Sequence, residues 1–280
     1  MIYERVTMRL IRVPFLFCLF LFPLVAIGGS LSSMPDSSLQ SAYEELKNKT
    51  EALFEAKKDS FAFVSDNSVS GGINGHVVFS FVSVGPLFAS FQRHAVIGYS
   101  LNDSTLYVEV RQLIGQVWVR RFRNTSSTRW LVPGSGIPAV IRDINGDGLG
   151  DLLILQETQA MLQPALRYGA WLFSLKEGFQ EVKGFNRICN PVYDVTEKKV
   201  IGFQPVSCNQ RVALYEEYRF VKGPAVERKR TVLLDCCCAT GECTTCKVIV
   251  DGKERTDVPR SSAFSYVPVL YKEQIKALCK

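Results

Sequence analysis

Residues 143–155 read DINGDGLGDLLIL, which sets Asp143, Asn145, Asp147 and Asp151 on a near-alternating spacing with glycines between them. Oxygen-bearing side chains so arranged are what a hard cation requires. Alternate residues of a tight turn can aim inward together, and glycine supplies the φ values that such a turn needs. The side chains of Asp143, Asn145 and Asp147, the backbone carbonyl of Leu149 and the carboxylate of Asp151 make a ligand set for calcium. A full EF-hand loop would carry a bidentate Glu at its twelfth position, where this chain has Ile154, and would lead into a helix rather than the strand-like run at 152–155. An ordinary Asn-Gly or Asp-Gly β-turn draws on the same residue types. Three carboxylates in one short loop exceed what a turn needs, and they would repel one another with no counter-ion. Magnesium suits the set less well, because it keeps several waters and seldom occupies an all-protein cage. The role expected of the ion is structural.

The other groups with chemistry are cysteines. Setting aside Cys18, which lies in the N-terminal apolar run, eight of the nine remain. Cys189 and Cys208 bracket two strand-like runs and are candidates for a staple. Cys236, Cys237, Cys238, Cys243, Cys246 and Cys279 are further disulfide candidates whose pairing the spacing leaves open. Cys243 and Cys246 have the spacing of zinc ligands and of thiol–disulfide exchange motifs. Three adjacent cysteines do not converge easily on one metal, and an exported chain favours structural disulfides. There are only two histidines, His76 and His94, and neither sits in a recognisable catalytic motif. HExxH, GxSxG and phosphate-binding loops are absent from the sequence. A non-enzymatic protein is expected, with a hydrolase acting on envelope material as the third-ranked reading.

These groups must be carried by elements that the sequence also indicates. Arg9 and Arg12 precede an uncharged run of 15 residues at 13–27 and then the small-residue stretch GGSLSS. That order reads as a signal peptide over 1–28 and a periplasmic or secreted mature protein. A retained anchor is the alternative, against which stand Pro14, Pro23 and a run shorter than a spanning helix needs. Leu39, Tyr43, Leu46, Leu53 and Phe54 fall near helical spacing and predict an amphipathic helix over 36–58. From Phe61 onward, short apolar or alternating runs are separated by turn signals such as GGING, PGSG and VKGP. Without any βαβ rhythm, these predict a mostly β, antiparallel body over 61–235, followed by a cysteine-rich segment over 236–280. The net charge of +6 gives no warrant for nucleic-acid binding.

The loop resembles the aspartate-rich loops of integrin-type propeller repeats. Downstream come YGAWLFSLKEGFQEV, CNPVYDVTEKKVIGFQPVSC and VALYEEYRFVKGPAVERKR. That succession, over about 131–235, resembles a family of exported bacterial proteins that includes calcium-binding inhibitors of lysozyme-like effectors. The resemblance implies a propeller-like or multi-sheet β fold, calcium as the bound ion, and an immunity role against a peptidoglycan hydrolase. An integrin-like adhesion or envelope-interaction module without inhibitory activity is the alternative. The CCCATGECTTC segment and the N-terminal helix have no counterpart in that pattern. For an inhibitor of this kind, Arg167 and Tyr168 at the end of a loop after the cation site are candidate partner contacts, with Tyr168 packing at a strand edge as the competing reading.

Overall fold

The computed structural model describes residues 36–65, 70–73, 76–78, 80–102, 104–127, 138–159, 165–207, 212–236, 244–268 and 271. The signal segment and Cys208, Cys237, Cys238, Cys243 and Cys279 lie outside the described residues. A 22-residue helix, α1 (Asp36–Lys57), opens the described chain. The strands that follow are β1 (Phe63–Val64), β2 (Ser70–Ile73), β3 (His76–Val78), β4 (Ser80–Gly85), β5 (His94–Asn102), β6 (Thr105–Ile114) and β7 (Val117–Ser127). Next come β8 (Ala139–Arg142), β9 (Asp151–Gln159), β10 (Ala165–Ser174) and β11 (Gly178–Glu181). The last group is β12 (Val192–Asp194), β13 (Lys199–Ser207), β14 (Val212–Phe220), β15 (Val226–Asp235), β16 (Thr245–Val250) and β17 (Lys253–Pro259), followed by the short helix α2 (Arg260–Ala263).

The body is mostly β and every strand pair within its sheets is antiparallel. The first sheet has the order β1-β4-β5-β6-β7, the second β11-β10-β9-β8 and the third β12-β13-β14-β15-β16-β17, beside a two-stranded ribbon of β2 and β3. Among the described residues no sheet closes on itself, and no helix is long and apolar enough to cross a membrane.

The second sheet is the middle layer, and its sequence shows why. Strand β9 begins DLLIL, and side chains of successive strand residues point to opposite faces. Leu152 and Ile154 join Val96, Val108, Val110, Trp171 and Phe173 in a core shared with the first sheet. Leu153 and Leu155 join Tyr168, Ala170, Val200 and Tyr218 in a core shared with the third. A run that is apolar at every position therefore buries both faces.

The outer face of the first sheet is covered by α1. Phe54 packs on Val82, Val84, Ala95 and Ile97, and meets Trp118 edge-on at 5.6 Å. Thr50 holds the helix to the sheet through Ser80, 2.6 Å between hydroxyls. Beneath the helix lies a buried carboxylate, Glu109, which accepts from the Tyr107 hydroxyl and from Arg111 Nε at 2.5 Å. The same guanidinium reaches Glu51 of α1 at 3.0 Å and lies over the Phe54 ring. A buried charge is tolerable only when partnered in this way.

The segment after 235 is continuous with the third sheet: β16 and β17 extend it, and Val248, Ala263, Val267 and Tyr271 complete its core. Cys236 and Cys246 are disulfide-bonded. The pair continues the β15–β16 register, in which Asp235 faces Lys247.

His94 is a core residue. It is buried between Phe88 and Phe173, with ring centroids at 5.1 and 5.6 Å. Neither ring nitrogen has a hydrogen bond of ordinary geometry, although the Gln92 backbone weakly favours the protonated form. Burial dominates and lowers the pKa to about 4. Since the unfolded chain titrates near 6.5, the folded state holds fewer protons between those values. Stability is therefore lost as the pH falls from about 6.5 to about 4, by about 3 kcal/mol. His94→Leu, with nothing to titrate, should lose that much less between pH 7 and pH 4 in urea unfolding. Equal losses in the two proteins would remove the histidine as the source.

Candidate metal centre

The loop 143–151 is the connection between β8 and β9, closed at its base by the pairing of Arg142 with Asp151. Its path is set by side-chain oxygens that accept from the loop's own backbone. Asp143 Oδ1 accepts from the amides of Gly146 at 2.6 Å and Asn145 at 3.3 Å, and its Oδ2 from Gly148 at 3.0 Å. Asn145 Oδ1 accepts from the Asp147 amide, and Asp147 Oδ1 from that of Leu149. The Asn145 amide nitrogen donates to Asp147 Oδ2 at 3.0 Å. Gly146 and Gly148 lie at φ +79 and +84, the left-handed region that favours glycine. Gly146 is constrained twice, because a Cβ there would collide with the Tyr193 hydroxyl.

Two apolar side chains root the loop. Ile144 is buried in the core between the second and third sheets. Leu149, whose carbonyl is the expected backbone ligand, packs on the core between the first and second. The Gly150 amide donates to the Phe88 carbonyl at 2.8 Å.

Asp151 is the deepest of the acids, with no exposed surface. Its Oδ2 accepts from the Ile144 amide at 3.0 Å, and its Oδ1 from the Phe173 amide of β10 at 2.9 Å. Burial pushes its pKa up to about 7 against the pull of those two N–H bonds, and the charges of Asp147 and Asp143 push the same way as burial.

The donor set is all oxygen: three carboxylates, an amide and a carbonyl, which is the chemistry calcium takes. Each carboxylate oxygen that accepts one N–H keeps a further lone pair. Among the described residues, no three acidic, histidine or cysteine side chains stand close enough together to hold a metal as they are. The fit is thus one of ligand chemistry and loop path, and the carboxylates would have to draw in around an ion.

One bracing residue escaped the reading of the sequence. The Tyr193 hydroxyl, from β12, donates to the Asn145 carbonyl at 3.1 Å. It stands 48 residues away in the chain, and no local spacing signals it. Its only trace is the Asn-Pro-x-Tyr-Asp segment in the succession that follows the loop.

Of the two expected partner contacts, one is buried and the other partly exposed. Tyr168 is 8% exposed and belongs to the core, because β10 turns its ring inward opposite Leu155. Arg167 is partly buried and committed to Glu157 at 3.1 Å and to the Cys189 sulfur at 3.2 Å. Of the expected Cys189–Cys208 staple, Cys208 lies outside the described residues. Cys189 is a free, buried thiol, set between Arg167 and Gln204 by the crossing of its segment with β10.

No family model matches the chain, and no curated protein matches it. A solved structure described as a Xanthomonas type IV secretion system related protein is similar with a TM-score of 0.36 and 12% identity, covering 69% of this chain and 98% of that one. An overlap that slight carries no conclusion about this chain.

Asp151 should matter to stability with or without an ion. Asp151→Ala leaves two buried amides without acceptors, each costing about 1–3 kcal/mol. At pH 4, where the seated carboxyl is uncharged, urea unfolding in chelator should show a loss of about 3 kcal/mol, shrinking as the pH rises toward 8 and ionisation of the buried group becomes costly. A loss below about 1 kcal/mol at pH 4 would mean that water or a relaxed backbone replaces the carboxyl.

Proposed function

We propose that the loop 143–151 holds a structural calcium ion in an exported, non-enzymatic binding protein whose partner is a lysozyme-like peptidoglycan hydrolase. One observation carries the metal reading. Among the described residues, Asp143, Asp147 and Asp151 are met by backbone and amide N–H groups and by no cationic side chain. Dipoles offset charge only partially, so three carboxylates in one loop call for a cation. When bound, calcium supplies that charge and fixes the loop between two cores; the chain's own share is the pinning by Ile144, Leu149 and Tyr193.

The disulfide between Cys236 and Cys246 fits an oxidising compartment, periplasmic or secreted. Three antiparallel sheets in succession offer a propeller-like scaffold, rigid because each sheet shares a core with the next. The hydrolase as target rests on the resemblance of the 131–235 succession to the inhibitor family. Lysozyme-type clefts work through two carboxylic groups, one held protonated, and a donor presented on a rigid scaffold blocks them without chemistry of its own.

The first test is thermal unfolding with calcium and with chelator, for the wild type and Asp147→Ala. At a calcium concentration one hundred times Kd, the native state gains about 2.7 kcal/mol. For a chain of this size that raises the Tm by roughly 5–10 °C. The wild type should shift and the variant should not. Equal melting in both, with no calcium found in the purified wild type, would reduce the loop to a plain turn. The wild type should then form a stoichiometric complex with a lysozyme-like hydrolase and stop cell-wall lysis, whereas binding without loss of lysis points to the interaction module instead.

A further inference from the structure

With Tyr168 in the core, a partner-binding protein needs another surface, and the far end of the first sheet has its features. A cleft of about 270 Å³ lies where the end of the first sheet meets the turn between β10 and β11. Phe173 and Phe179 contribute aromatic rings to its lining, and Gln92, Gln112, Arg121 and Lys176 line it with amide and cationic groups. Arg121 donates its Nε to Gln112 at 2.7 Å, which fixes the guanidinium in place. Among the described residues, neither Arg121 nor Lys176 is paired with a carboxylate. Glu177 also lines the cleft, and its carboxylate accepts from the Gln180 amide, which leaves two cationic groups against one acid.

The apolar surface around the cleft is unusual for a protein exterior. Gln112 faces Val119 and Ile114 faces Val117 across the β6–β7 hairpin. All four side chains therefore project from one face of the ladder. Trp118, on the opposite face, packs toward α1. Val117 is 64% exposed, and Leu175 on the neighbouring turn is 54% exposed. Phe91, which precedes Gln92 of the cleft, is 70% exposed. Leu175 lines the cleft itself, and Val119 stands opposite Gln112 of its lining.

We propose that this cleft and its apolar rim form a docking surface for a protein partner that presents an acidic side chain flanked by apolar ones. The sizes select that occupant. The cleft has room for more than one side chain, and exposed apolar residues stand at its edge, so a small acid would meet Arg121 and Lys176 but leave the apolar surface wet. A peptide segment covers both: its carboxylate meets Arg121 and Lys176, and its apolar neighbours lie on Val117, Leu175 and Phe91. A central anchor within an apolar ring is the usual anatomy of a binding hot spot. This rests on the reading of the protein as a partner-binding module, and it names the surface that module uses.

A random dodecapeptide library displayed on phage, panned on the full chain, tests it. Enriched peptides should carry Asp or Glu between apolar residues. They should bind Arg121→Glu/Lys176→Glu and, separately, Leu175→Asp at least tenfold more weakly than the wild type. If Arg121→Glu disturbs the sheet, as a thermal melt would show, Lys176→Glu with Leu175→Asp, both on the exposed turn, serves in its place. No enrichment, enriched peptides without an acid, or equal binding to the variants overturns the surface. Acidic peptides that bind here while no lysozyme-like hydrolase is inhibited keep the surface and remove the hydrolase. A hydrolase inhibited equally by wild type and charge-reversed variants removes the surface and leaves that reading intact.

Discussion

Asp151 is the constraint on which the site and much of the body depend. Its two oxygens join backbone amides from two places, Ile144 in the loop and Phe173 on β10. A single carboxylate thereby fixes the hairpin connection to the neighbouring strand. Desolvation makes the ionised form costly, and the two N–H bonds offset that cost only in part, so the pKa stays raised to about 7. Nature rarely keeps a dry acid without a use for its geometry. Here the use is local: with Asp151 seated, Ile144 and Leu149 enter different cores, and the oxygens of Asp143, Asn145 and Asp147 are held to one short arc.

The same economy of faces runs through the whole body. The second sheet has no solvent face to spare, since alternate residues of β9 serve the cores on either side. Only the outer layers need covers. The first sheet receives α1, whose Glu51 completes the Arg111–Glu109 network, and the third receives the chain around Ala263, Val267 and Tyr271. Shared cores transmit rigidity, because close-packed interiors resist small displacements. A loop rooted in two of them inherits that stiffness without needing a helix to follow it, as an EF-hand would.

The sequence disclosed what local spacing governs. The helix period around Tyr43, Leu46 and Phe54, the strand run after Asp151 and the glycine-punctuated loop are all short-range patterns, and each is found where it was expected. Long-range facts left no such trace. Arg167 and Tyr168 read as the end of a loop, yet both lie within β10, whose alternation sets Tyr168 on the inward face with Leu166 and Ala170. Nothing in the local spacing around Cys189 shows that its thiol accepts from Arg167. The brace from Tyr193 belongs to another sheet altogether. Nor did the cysteine-rich composition after 235 show that those residues would extend an existing sheet: KVIV of β16 reads as a strand, but charge masks the signal of β17 in KERTDVP.

The bond between Cys236 and Cys246 ties the end of β15 to the start of β16. The backbone between the two cysteines is therefore redundant for holding the chain together. A protease that severed one peptide bond there would produce two fragments still joined through sulfur, with β16 and β17 kept in their ladder. Outside the cytoplasm, where proteases are common and thiol reductants scarce, that redundancy converts a cut into a nick. Integrity of the third sheet then depends on the redox state of its surroundings rather than on an unbroken chain.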